Sequence, residues 1–148
     1  LLLGPSEVPA IAATLTVSDR PVTLLALHTL PPGSPALLAE RNAGFEDAAE
    51  FARNCPTPVV VCGDLNVTPF SPHFRDLRKR GGLVSARRGF GLVPTWPAHY
   101  RPFMIPIDHC LVSPELGVKS FRTGPDINSD HLPILVDLVI PATSEKRQ

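Results

Sequence analysis

Val59-Val60-Val61-Cys62-Gly63-Asp64-Leu65-Asn66 is an apolar run that ends in a carboxylate and an amide. Its unbroken apolar start reads as a short strand covered on both faces. A polar group at the end of a buried strand costs stability unless something compensates it. The same pattern recurs along the chain. Ile105-Pro106-Ile107 leads into Asp108-His109, and Ser129-Asp130-His131 stands just before Leu132-Pro133-Ile134-Leu135-Val136. His28-Thr29 closes another strand-like run that begins at Val22. A lone histidine in that place is ordinarily structural. It gains interest because the other strands end in the same chemistry, and together they point to one shared pocket.

Working outward from that strand, Ile11 to Val17 and Val22 to His28 read as a hairpin around Ser18-Asp19-Arg20-Pro21. Pro31-Pro32-Gly33-Ser34-Pro35 breaks the chain, and Ser34 can cap a helix with Pro35 in its first turn. The helix runs from Ala36 to Asn54, with Leu38, Phe45, Ala49 and Ala52 near one face and Glu40, Glu46 and Glu50 off it. Pro56 and Pro58 end it. A second helix is expected over Ser71 to Arg80, capped by Ser71 and stopped by Gly81-Gly82, followed by a loop over 83–104. Ile105 to Ser113, Val118 to Thr123 and Leu132 to Ile140 read as three more strands. The order ββαβαβββ predicts an α/β (α+β) fold, a mixed and mostly antiparallel sheet with helices on one face.

The 148 residues suffice for one domain with a real core, and 43% hydrophobic against 19% charged residues excludes disordered and coiled-coil classes. The formal net charge of zero gives no global attraction to nucleic acid or an acidic membrane. The basic residues are uneven, however. Arg75, Arg78, Lys79, Arg80, Arg87 and Arg88 crowd one segment with Asp76 as its only acid, which is either a solvated face or a phosphate-facing patch. As a pure nucleic-acid binder the segment lacks interleaved aromatics. Cys55, Cys62 and Cys110 form no CxxC and suggest no disulfide framework; Cys62 and Cys110 read as buried thiols. No apolar run reaches the ~18 residues of a membrane span. Leu1-Leu2-Leu3 has no charged region before it and reads as the middle of a longer chain rather than a natural start.

Two residues apart after a strand, Asp64 and Asn66 point to the same side if the extended geometry continues. The carboxylate can orient or deprotonate water, and the amide can donate to a developing negative oxygen. Equally, Gly-Asp-x-Asn can be a turn whose side chains bond their own backbone. Asp130 is a hard oxygen ligand suited to Mg²⁺ or Mn²⁺. His131 can act as acid, base or phosphate donor, and Asp108 is the candidate to fix its tautomer; a purely structural Asp–His bond is the alternative. Trp96 can stack on a substrate or anchor its loop. Arg41 lies on the polar side of the long helix, where it reaches the pocket rim or makes a surface ion pair. His73, His99 and His109 read as non-catalytic, His109 alternating to the opposite face from Asp108.

Taken in order, strand-His28-Thr29, Gly63-Asp64-Leu65-Asn66, Ile107-Asp108-His109 and Ser129-Asp130-His131-Leu132-Pro133 resemble the endonuclease/exonuclease/phosphatase superfamily. That group includes DNase I-like nucleases, apurinic endonucleases, sphingomyelinases and inositol-phosphate phosphatases. The match runs from about Val22 to Ile140. Asn66-Val67-Thr68-Pro69-Phe70-Ser71 and Thr95-Trp96-Pro97 look like a bacterial branch that often carries membrane-spanning segments upstream, so the chain could be the soluble part of a membrane-associated bacterial protein; its localisation is otherwise open. The resemblance implies residues 1–143 as the C-terminal half of a four-layer αββα sandwich, with 144–148 as a disordered tail.

The resemblance also implies roles. Asp64 would activate the attacking water and share in the metal site, Asn66 would position it, and Asp130 would hold Mg²⁺ or Mn²⁺. His131, oriented by Asp108, would contact the phosphate, and His28 would sit near the leaving group. Apart from the resemblance, Trp96 and Arg41 are the candidate substrate contacts. The expected reaction is metal-assisted attack of water on a phosphoester, whether nucleic acid, lipid head group or small phosphate. In relatives, the first half brings a metal-binding Glu. Glu7 and Asp19 stand outside any matching motif, so the encoded metal site is incomplete. A half sandwich also leaves a sheet face bare, which implies pairing with a second copy or with a missing segment. The competing reading is a catalytically incomplete half-domain that serves as an interaction or structural module.

Overall fold

The computed structural model of the protein describes residues 1–141. Strands β2 (Val8–Val17) and β3 (Arg20–Leu27) form the expected hairpin, which starts earlier than the sequence suggests because Val8 and Ala10 are buried under a helix. Ser18 and Asp19 turn it with φ of 49° and 61°, the left-handed pair that suits the twist of a tight hairpin. A two-residue strand, β1 (Leu2–Leu3), pairs with the start of β2.

Helix α1 (Pro35–Asn54) begins where the capping signal puts it, with the Leu37 amide donating to Ser34 Oγ at 3.2 Å. It buries Arg41, Gly44, Phe45, Ala48, Ala49 and Ala52. Leu38, expected on that face, is exposed, as are the first turns of α1 generally: only Leu37 among residues 35–40 is even half-buried. Strand β4 (Val59–Asp64) runs parallel to β3, as a crossover through α1 requires.

Helix α2 (Pro72–Arg80) ends on Gly81, whose amide returns to Leu77 O, while the Gly82 amide donates to Lys79 O. Ser71 stands at its N-cap, but its hydroxyl makes no capping bond. The span 83–104, read as loop, contains β5 (Val84–Ser85), too short for a periodic signal, and a 3₁₀ turn at Arg101–Phe103. The run expected as a strand from Ile105 forms only β6 (Asp108–Val112). Ile105 makes an isolated bridge to Trp96, and Pro106, with no amide hydrogen, interrupts the ladder.

These strands make one mixed sheet in the order β1-β2-β3-β4-β6-β5. Strands β7 (Gly117–Thr123) and β8 (Ile134–Val139), expected in the same sheet, instead form their own antiparallel pair. Alternation along the central strands explains why. Val59, Val61, Leu25 and Leu111 face Phe45, Ala48, Phe74 and Leu77 of the helices. Val60, Val22, Cys110 and Val112 face the other way, against Val118, Phe121, Ile134, Val136 and Leu138 of the β7–β8 pair. Burying each large aliphatic chain contributes about 1.5–3 kcal/mol, so both faces of β4 are committed.

The result is three layers: helices, main sheet, and a two-stranded beginning of a second sheet. The second face is therefore partly covered rather than bare. Ile11, Leu15 and Val17 of β2 stay 70%, 50% and 47% exposed. Among the described residues no helix is long and apolar enough to cross a membrane. The expected tail, 144–148, lies outside the described residues.

Candidate active site

The β4–β6 register sets Asp64 opposite Asp108 and Gly63 opposite His109. Two carboxylates thus stand side by side on one face, an arrangement that like charges disfavour. Donors gather round them. His131 holds Asp108 Oδ2 through Nδ1 at 2.8 Å, which with Nδ1 as donor turns Nε2 toward Asp64. Asp64 accepts the Asn66 backbone amide on Oδ1 at 2.8 Å and Asn66 Nδ2 on Oδ2 at 3.1 Å. Asn66 sits at φ 47°, a left-handed conformation that asparagine tolerates, and Nδ2 also donates to Thr29 O at 2.8 Å. The turn and the site are therefore the same object. The local Asp–Asn bonds are what aim the carboxylate.

Two further imidazole nitrogens approach Asp64 Oδ2: His28 Nε2 at 3.4 Å and His131 Nε2 at 3.8 Å. His28 is largely exposed, whereas His131 and Asp64 are recessed. Burial raises the Asp64 pKa above the usual carboxylate value; Asp108 adds to the rise, while the Asn66 amide, His131 and His28 oppose it. A cleft of about 830 Å³ opens over this group and is lined also by Arg41, Trp96 and Asp130.

The structure changes the reading of several residues. Arg41 is not on a polar surface: it is 5% exposed, and its Nη1 donates to Asn66 O at 2.8 Å. Of its two expected places, the pocket rim and a surface ion pair, the structure gives it the cleft wall. Trp96 does anchor a loop, for its Nε1 donates to Asp130 Oδ2 at 3.2 Å, yet its ring remains in the cleft wall, 6.3 Å from that of His131. His109 lies on the helix face, as alternation predicts, stacked on Phe74 and bonded through Nε2 to Val67 O at 2.7 Å. His73 pairs with Asn42 outside the cleft. Sequence reasoning missed the braces altogether: Thr29, whose carbonyl takes Asn66, and Thr95, whose Oγ1 accepts the Asp108 amide at 3.4 Å.

The donor set for an ion is incomplete. Among the described residues no group of three or more His, Cys, Asp or Glu side chains could hold a metal. Asp130 Oδ2 is committed to Trp96, Asp108 Oδ2 to His131, and both Asp64 oxygens to Asn66. These carboxylates do not by themselves make the octahedral oxygen cage that Mg²⁺ or Mn²⁺ prefers.

No curated protein matches the chain. Solved structures do. An endonuclease/exonuclease/phosphatase from Beutenbergia cavernae superposes with a TM-score of 0.74 at 24% identity, over 88% of this chain and 39% of that one. The human Nocturnin catalytic domain, solved with a bound sulfate anion, gives 0.73 at 22% identity over 91% and 54%. A mannosyl-6-phosphatase from Bacteroides thetaiotaomicron gives 0.64 at 22% over 82% and 52%. At these identities the likeness shows the fold, and the chain spans only about two-fifths to half of those structures. The profile of the Endonuclease/Exonuclease/phosphatase family matches residues 3–131, most of the chain and the whole cluster of strand-end residues. The chain belongs to the endonuclease/exonuclease/phosphatase family.

Proposed function

We propose that this chain carries the water-activating half of a phosphoester hydrolase site. The observation that supports this is Asp64 itself: a recessed carboxylate, raised in pKa, with two histidines within 3.8 Å of Oδ2 and a second carboxylate orienting one of them. Water attacks phosphorus in line. One P–O bond forms as the ester P–O bond breaks, the water proton passes to Asp64, and the leaving oxygen takes a proton from the His28 side. His131 faces the phosphate and stabilises its charge, held in place by Asp108. Asn66 acts by fixing Asp64, since both of its amide hydrogens are engaged. Trp96 forms a wall against which the substrate lies, and Arg41 braces the loop beneath.

A requirement for Mg²⁺ or Mn²⁺ belongs to this reading through family membership. Asp64 and Asp130 offer part of a ligand set, and the remaining ligands come from outside this chain. The test is hydrolysis of bis(p-nitrophenyl) phosphate with and without Mn²⁺. Asp64→Ala or His131→Ala is expected to lower turnover by about 10²- to 10⁴-fold. Turnover unaffected by either change refutes the assignment. The second reading, an inactive half-domain, is favoured by the incomplete ion site. It predicts no metal-dependent turnover from this chain, but turnover on addition of the segment that completes the sandwich would exclude it.

A further inference from the structure

The basic segment after the active-site loop folds into a cavity of its own. Arg78 from α2 and Arg87 and Arg88 from the turn after β5 line a space of about 530 Å³, together with Ser85, Phe70 and Phe74. No carboxylate lines it. Among the described residues Arg80 alone of the cluster makes an ion pair, with Glu46, and it faces elsewhere. The cavity arginines are held by other means. Arg78 lies 6.0 Å from the Phe74 ring, and Arg87 Nη1 donates to Leu92 O at 2.6 Å. The Nε of each is buried with no partner. Three arginines lining one cavity without an acid favour an entering anion, and planar guanidinium forks match phosphate oxygens.

Position gives this cavity its meaning. Thr68 and Ser71 line the catalytic cleft, whereas Pro69 and Phe70 between them line the basic cavity. The Ser71 amide closes that turn on Thr68 O at 3.1 Å. The ends of such a turn lie within about 7 Å, so the two spaces are back to back. Phe70 on the shared wall is 70% exposed. The aromatic missing from segment 75–88 is therefore supplied by the fold from the active-site loop.

We propose that the Arg78–Arg87–Arg88 cavity is a second phosphate subsite, and that the substrate is a single-stranded nucleic acid. One phosphodiester lies in the catalytic cleft, a neighbouring one lies among the arginines, and a base stacks on Phe70. Such a combination of cationic groove and exposed aromatic is how single strands are held without sequence preference. The inference rests on the hydrolase reading for what occupies the cleft, but its test does not need turnover.

Binding of a 5′-fluorescein decathymidylate is measured by anisotropy across a salt series in EDTA. Each phosphate neutralised contributes about −0.7 to the slope of log affinity against log salt for a single strand. Arg78→Gln with Arg88→Gln is expected to flatten the slope by about 0.7, the share of one phosphate, and Phe70→Ala to weaken binding at least about five-fold. Arg88→Gln alone, at an exposed position, is expected to flatten it in the same direction by a part of that amount. Binding is read in EDTA and without turnover, so failure of the hydrolase reading leaves this result standing. No binding, an unchanged slope in the arginine variants, or an unchanged affinity in Phe70→Ala overturns the proposal. So does arginine-dependent binding to phosphatidylglycerol vesicles without binding to the oligonucleotide.

Discussion

His109 and Arg41 grip consecutive carbonyls of the active-site loop, Val67 O and Asn66 O, from beneath. Neither reaches the cleft chemistry through a free polar atom, yet both determine where Asn66, and through it Asp64, can sit. The His109 pKa is pushed down to about 4, by burial first and by Arg87 next, against the pull of Val67 O and Asp108. Its ordinary value is 6.5. Between those values the unfolded chain binds a proton that the native imidazole refuses. Stability therefore rises with pH through that window and is lost as pH falls from 6.5 toward 4. The shift corresponds to about 3 kcal/mol. Urea unfolding at pH 7 and pH 4.5 is expected to show this loss in the parent and a smaller one in His109→Gln; equal losses count against the role. At Arg41 the cost lies in the bond itself. Arg41→Met is expected to destabilise by roughly 1.5–3 kcal/mol in the same assay at neutral pH, because a charge-assisted bond to the partly buried Asn66 carbonyl is lost.

At the scale of elements, the site depends on β3 and β4 lying unusually close where both strands end. Gly63 has φ 139°, and a Cβ there would stand 1.9 Å from Leu27 O. Only glycine lets β4 carry Asp64 past the end of β3 toward His28. Gly63→Ala is expected to cost about 3 kcal/mol or more, from backbone strain and the forced separation of the strands. A thermal melt that matches the parent would contradict this. Much of that architecture was legible in the chain. Unbroken apolar runs marked β4, the Ser34-Pro35 cap marked α1, and polar residues after strands marked the cleft, because burial, capping and desolvation act on local sequence. The departure of β7 and β8 into a second layer was not legible. Their alternation specifies one buried face but not which sheet that face meets. Arg41 was hidden for the same reason: its partner is a carbonyl distant in sequence, and helical periodicity scores a cation as outward-facing.

At the scale of the molecule, β2 poses the largest unsolved contact. Strand β1 pairs only with Val8 and Pro9, so among the described residues the outer edge of β2 from Ile11 to Val17 has no ladder partner. On the face that the β7–β8 pair leaves open, the same stretch presents Ile11, Leu15 and Val17. An open edge beside an apolar face is the arrangement from which chains associate, and soluble proteins normally cover or charge it. The chain spans about half of its solved relatives or less, so the remainder of a second sheet is the natural cover. In its absence a second copy is expected to take the place. Light scattering of the isolated chain should therefore give a mass above the 16.0 kDa of one copy, rising with concentration. Ile11→Lys with Leu15→Lys should return it to a folded monomer, since charge on that face repels its own copy without touching either core. If the parent chain is already a well-folded monomer at every concentration, the face needs no partner, and the second sheet as begun by β7 and β8 is sufficient.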